Sequence, residues 1–168
     1  MPLHTGLSYC HHQICIGQLD PDATRRVPQA LDIRDAVAFY LDAAPTRADI
    51  YTFGIYADAR LVGQISLHDI DWHTHESLVA YHLFLPDDRG RGIGTTALTL
   101  LQQYVRTATS LTRVFAITSR DNIASQRIAA KSGFQLVGPA REDPEHLLVF
   151  VWDVPTVSSS ADRAEKAP

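Results

Sequence analysis

Six residues in mid-chain, Arg89-Gly90-Arg91-Gly92-Ile93-Gly94, join an apolar strand-like run at 79–85 to an amphipathic helical stretch at 95–108. Glycine accepts backbone conformations that other residues avoid and removes side chains from the turn it occupies. The helix that follows offers unpaired N–H groups and the positive end of its dipole at the same point. A junction of this kind suits an anion, and the two arginines make a diphosphate the natural guest.

The glycine spacing admits more than one reading. Gly92 to Ala97 fits the G-x-G-x-x-A form of a dinucleotide-binding turn, but that turn belongs after the first strand of a long βαβ series, and here too little chain follows. A P-loop is excluded because no Gly-Lys-Ser/Thr follows. The segment from Leu83 to Gly94 instead resembles the acetyl-CoA signature of the GNAT acetyltransferases, Gln/Arg-x-x-Gly-x-Gly/Ala, with Arg89, Gly92 and Gly94 in the signature positions. A second segment, Arg120-Asp121-Asn122-Ile123-Ala124-Ser125 followed by Lys131-Ser132-Gly133-Phe134, resembles the Asn-x-x-Ser…Lys-x-Gly-Phe pattern of one branch of that family. That branch includes ribosomal-protein N-terminal, antibiotic and polyamine acetyltransferases. A capped helix with a glycine stop accounts for Asn122 and Gly133 by themselves, but not for both segments in this order, one helix and one strand apart. The resemblance covers residues 61–154, and the first sixty residues only by a compatible pattern.

Composition agrees with a compact enzyme. At 168 residues and 45% hydrophobic, the chain can close one sizeable core, so one domain is the default. It has no apolar stretch of membrane-spanning length and no charged-then-apolar start, which leads to the expectation of a cytoplasmic protein without membrane contact. A net charge of −4 argues against nucleic acid as a partner and favours a cationic acceptor. Cys10 and Cys15 flank His11 and His12, but the spacing matches no common zinc pattern and neither thiol belongs to a catalytic motif. No metal is expected.

Along the chain, residues 1–12 read as a loose leader, 13–154 as a single catalytic domain, and 155–168, rich in serine, alanine and mixed charge, as a disordered tail. Strands are expected at 13–18, 50–57, 61–68, 77–85, 113–118, 134–138 and 146–154. Asp20-Pro21 starts a helix that Pro28 interrupts, leaving a second helical piece whose apolar members include Leu31, Val37, Ala38 and Leu41. Residues 69–75 read as a loop, and short helices cover 95–108 and 123–131. The order is that of an α/β fold, and the resemblance implies a mixed, mostly antiparallel sheet of six to seven strands with helices on both faces.

The resemblance further implies N-acetyl transfer from acetyl-CoA to a primary amine, a protein N-terminus or a small molecule, by direct attack in a ternary complex. The coenzyme would lie against Leu83, Phe84, Leu85, Arg89, Gly90, Arg91, Gly92, Ile93, Gly94, Thr95, Asn122 and Ser125, with backbone N–H groups near Leu83 to Leu85 polarising the acetyl oxygen. Related enzymes often protonate the leaving thiolate with a tyrosine, but that position is Ala129, which shifts the role to Ser125. An alkyl ammonium titrates near about 10.4, so a base is needed. The strand position where some relatives place a glutamate is Leu78; Glu76 is preferred for the base and His82 is the alternative. His68, Asp69, Asp71, His73 and His75 together read as an acidic lip for an amine. The missing tyrosine and unassigned base also suit a non-catalytic acyl-CoA-binding or regulatory module, and a dinucleotide-binding protein is the third class. An edge strand and the helical pair could pair subunits into a homodimer. The acceptor carries no portable code in such loops.

Overall fold

A computed structural model describes residues 8–156, so the first seven residues of the leader and the tail from 157 lie outside the described residues. Eight strands form one sheet in the order β1-β2-β3-β4-β5-β6-β8-β7. Every neighbouring pair is antiparallel except β5 and β6, which run parallel. The mixed, mostly antiparallel α/β architecture is as expected, with one strand more than expected. The addition is β1 (Tyr9–His11), which falls in the leader and pairs with β2 (Ile14–Gln18) through a register that sets Cys10 against Cys15. These two cysteines form a disulfide, a pairing absent from the sequence reading.

Asp20 caps α1 (Pro21–Arg26) by accepting the N–H groups of Asp22 and Ala23 at 2.9 and 3.0 Å, with Pro21 in the first turn, where its missing N–H costs nothing. After the break at Pro28, α2 (Arg34–Ala43) buries Val37, Tyr40 and Leu41. Leu31 and Ala38, expected on that apolar side, face solvent: Leu31 precedes the helix, and Ala38 stands one residue round from Val37.

A hairpin joins β3 (Tyr51–Ala57) to β4 (Arg60–Asp71) through Asp58 and Ala59, both in the left-handed region as a two-residue turn matching the strand twist requires. Strand β4 runs on to Asp71, and β5 (Glu76–Leu83) opens directly after a turn at 72–75. The stretch 69–75 is therefore the end of β4 and a tight turn rather than a loop. Asp69 at φ 47° provides the irregularity that carries the strand past its polar residues, and Asp71 closes the turn by accepting the N–H groups of His73 and Thr74. The remaining elements are α3 (Ile93–Ala108), β6 (Arg113–Ser119), α4 (Ile123–Lys131), β7 (Gln135–Pro139) and β8 (Leu147–Asp153).

The main core lies between one face of the sheet and α3, where Ala97, Leu98, Leu101, Tyr104 and Val105 meet Phe53, Ile55, Ile65, Leu67 and Val79. A smaller cluster of Val37, Leu41, Leu61 and Phe84 seats α2 on the other face. Strand alternation then sets Gln64, Ser66 and His68 of β4, with Leu78, Ala80 and His82 of β5, under α2.

Candidate functional site

The parallel pairing of β5 with β6 extends only from Glu76↔Arg113 to Val79↔Ala116, after which the two strands part. A cleft of about 370 Å³ occupies the split, lined by Tyr40 and His68 from the α2 side, Leu78 to His82 from β5, Ala116 to Ser119 from β6, and Asn122, Ser125 and Ala129 from α4. Phe84 N–H donates to Val62 C=O at 2.9 Å, so by alternation the N–H of Leu83 points away from β4, toward the split.

The glycine turn follows β5 and leads into α3. Gly90 and Gly92 adopt φ 73° and 80°, and a β-carbon at either would meet nothing within 4 Å, so the backbone there is open on that side. Gly92 caps α3 without a side-chain hydrogen bond, which leaves first-turn N–H groups available. These are the features a diphosphate needs, and the residues present therefore fit the coenzyme arm that the resemblance implies. Gly94 has a different reason: a β-carbon there would stand 2.9 Å from Ile128 Cδ1, so it permits α3 and α4 to approach.

Asp88, missed from the sequence, is the turn's anchor. It is buried and accepts Arg60 at 2.7 and 3.2 Å, with Arg91 at 3.7 Å. Arg89 reaches Asp32 at 3.3 Å, which ties the turn to the segment before α2. Leu85 is partly buried, while Phe84 is wholly buried in the α2 cluster and its carbonyl accepts Ala30 N–H at 2.8 Å. Ile93 is buried and Thr95 partly exposed.

On the opposite wall, Asn122 Oδ1 accepts the N–H of Ser125 at 3.1 Å, so Asn122 caps α4 with its carbonyl end and leaves its amide NH₂ uncommitted. Tyr81 donates to the carbonyl of Ser125 at 3.1 Å and fastens α4 to β5; burial pushes its phenol pKa upward. The Ser125 hydroxyl has no partner among the described residues, and Ala129 is buried at the cleft wall.

Glu76 does not reach the cleft. It sits at the start of β5, where its carboxylate meets Arg113 at 3.4 Å, and Arg113 also bonds Asp153 at 2.8 Å. The sequence could place Glu76 at the strand's start and on the correct face, but not show that β5 stays paired with β6 as far as Val79 and parts from it only beyond. His82 does line the cleft. Burial, partly opposed by the Asp32 charge, lowers its pKa to about 4, so the ring is neutral at physiological pH.

The five residues expected as one lip separate. His68 lines the cleft, and Asp69 holds its Nδ1 at 2.8 Å. Asp71 and His73 belong to the hairpin tip, and His75 lies toward Ser110, its Nδ1 3.1 Å from that hydroxyl. Tyr40, unremarked in the sequence, stands between the two cleft histidines with ring centroids 5.3 Å from His68 and 6.2 Å from His82. Its phenol is pushed up to about 12, chiefly by burial and secondarily by Asp69, so it stays protonated. Among the described residues no group of three or more His, Cys, Asp or Glu is arranged to hold a metal.

A family model described as an acetyltransferase (GNAT) domain matches residues 12–135. The probable N-acetyltransferase YjcK of Bacillus subtilis (strain 168) is 32% identical over 105 residues, 61% of this chain; that alignment spans only 57% of the relative's length. The ribosomal-protein-S5-alanine acetyltransferase of Vibrio fischeri is similar in fold, with TM-score 0.67 and 17% identity over 88% of this chain and 97% of that one. The microcin C7 self-immunity acetyltransferase MccE, solved with acetyl-CoA and AMP, gives TM-score 0.69 and 18% identity over 86% of this chain and 94% of its own.

Proposed function

The chain belongs to the GNAT acetyltransferase family, and on that premise we propose that it moves an acetyl group from acetyl-CoA to a primary amine, a protein N-terminus or a small molecule, in a ternary complex. The observation that carries this reading is the parting of β5 from β6, with two histidines lining the cleft so formed and a helix N-terminus capped by no side chain following β5. The backbone of Gly90 to Thr95 would hold the diphosphate, with Arg91 adding charge and Asn122 offering its NH₂ to the pantetheine arm. Bound acetyl-CoA supplies an acetyl group activated as a thioester.

The chain's own residues have distinct tasks. The Leu83 N–H is the backbone donor at the split and serves a developing oxyanion. His82, neutral across the useful pH range, accepts a hydrogen bond from the incoming amine and holds it as the free base. A ring titrating near 4 has little affinity for the proton itself; His68, which lines the same cleft with its Nδ1 2.8 Å from Asp69, is placed to relay it to solvent. The Ser125 hydroxyl is the donor available to a thiolate. The relatives' acceptors, ribosomal proteins in one case and an antibiotic-immunity target in another, bracket the amine classes to test.

The experiment is thiol release from acetyl-CoA across protein N-terminal peptides, amino sugars, polyamines and aminoacyl nucleotides. Release should rise above background with one class. Release at background throughout, together with a clear thermal shift on adding acetyl-CoA, would favour the binding-module reading instead.

A further inference from the structure

Gln64 is wholly buried, yet among the described residues neither Oε1 nor Nε2 of its carboxamide has a hydrogen-bond partner. The buried Nδ1 of His82 is in the same condition. These three atoms belong to residues that stand directly opposite each other, since β4 and β5 pair Gln64 with His82. Side chains opposed in this way have β-carbons about 4.5–5.5 Å apart and project from the same face. Buried polar groups are nearly always satisfied, and an orphaned one costs about 1–3 kcal/mol, so three side by side demand a common explanation.

The other neighbours of Gln64 are committed elsewhere. Across β3 it faces Gly54, and a β-carbon there would stand 2.8 Å from the Tyr56 ring, so that ring already fills the space. The Tyr56 hydroxyl donates to Gln18 C=O at 2.7 Å, and the Ser66 hydroxyl pairs with Thr52 at 2.9 Å. On the far side of His82, Arg89 is engaged by Asp32, His68 by Asp69, and Tyr40 meets the ring at 6.2 Å. None of them bonds Nδ1. The ring lines the cleft and its Nδ1 is buried, which leaves Nε2 as the ring nitrogen to face the cleft.

We propose that Gln64 is a positioning residue for His82: its carboxamide oxygen takes the Nδ1–H of the imidazole through one bridging water, and so keeps the Nε2 lone pair turned to the cleft. A neutral imidazole carries one proton, and whichever nitrogen binds it loses its acceptor character. An amine donor arriving in the cleft needs Nε2 bare. The same amide turned over would put the proton on Nε2 and block the acceptor, so the orientation of one buried carboxamide decides whether the site is primed. The functional meaning rests on the reading of His82 as the amine's acceptor; the tautomer itself does not.

The test is ¹⁵N-edited NMR of the full chain with labelled histidine, at pH 7, without coenzyme or amine. Wild type should show His82 as one tautomer with the proton on Nδ1. Gln64→Leu, which removes the acceptor at similar volume, should convert it to a mixture or to the Nε2–H form, and Gln64→Glu should retain the Nδ1 proton. With the acceptor amine, Gln64→Leu should lose roughly 10-fold or more in kcat with the KM for acetyl-CoA unchanged, a share of the roughly 10²–10⁴-fold that acid–base groups contribute. A wild-type proton on Nε2, an unaltered tautomer in Gln64→Leu, or its loss in Gln64→Glu would overturn the proposal. Because the spectra need neither substrate, they separate failure of this inference from failure of the acetyl-transfer reading.

Discussion

Gly92, at φ 80° with open space beyond its α-carbon, lets two substitutions separate conformation from charge. Gly92→Ala incurs roughly 1–2 kcal/mol of left-handed strain without a clash, which should weaken acetyl-CoA by no more than roughly tenfold or be absorbed as lost stability. Gly92→Glu adds a carboxylate beside the diphosphate, and calorimetric titration should find binding abolished; equal affinities for the two variants would mean that the diphosphate lies elsewhere. Ser125 offers a cleaner experiment, because Asn122 and Tyr81 hold only its backbone and Ser125→Ala leaves α4 intact. Turnover should fall on the order of 10-fold at an unchanged KM for acetyl-CoA, and unaltered steady-state rates would remove the hydroxyl from the thiolate's path. The anion turn was legible at this scale because Gly90 and Gly92 mark a backbone need that a residue type announces. Asp88 was not, since a buried carboxylate becomes recognisable only when Arg60, twenty-eight positions away, is folded against it.

Among the elements, those built on local patterns were legible: the capped α1, the hairpin at Asp58-Ala59 and the 16-residue α3 follow from turn chemistry and helical spacing. The end of β4 was not, because Asp69 and Asp71 have low strand preference, and cross-strand pairing with a bulge overrides it. Glu76 misses the cleft for another reason: it lies in the part of β5 still paired with β6, opposite Arg113, and the strands part only beyond Val79. The β1–β2 hairpin was missed for a related reason: it is too short for periodicity to register, and the Cys10–Cys15 pairing appears only once the register is known. A loop this small gives about 2 kcal/mol by the chain-entropy account. The double variant Cys10→Ser/Cys15→Ser should therefore lose roughly 4–8 °C in Tm. The hairpin lies at the sheet edge, three strands from β5, so affinity for acetyl-CoA should not change. A drop in affinity measured by titration would show that the edge and the cleft are coupled.

For the whole molecule, one sheet does two jobs: its continuous part supports α3 over a large apolar core, and its parted strands open a cleft whose α2 side is polar. Burying His82 there has a thermodynamic consequence that reaches the entire fold. Its folded pKa of about 4 lies below the unfolded value near 6.5, so between those limits the unfolded chain binds more protons than the native one. Above about pH 6.5 the imidazole is neutral in both states and contributes no slope. As the pH falls from 6.5 toward 4, the unfolded chain gains a proton that the native cleft refuses, and stability drops by on the order of 3 kcal/mol. Carboxylates such as Asp71, held below their usual range by backbone hydrogen bonds, also lose stability in acid, mostly at lower pH. Urea melts of wild type and His82→Gln, compared point by point between pH 7 and 4.5, isolate the histidine: wild type should lose stability more steeply, and most of the difference should develop between pH 6.5 and 4.5. Parallel curves would mean that the ring accepts a proton in the folded state, and the neutral acceptor proposed for the amine would then be absent below neutral pH.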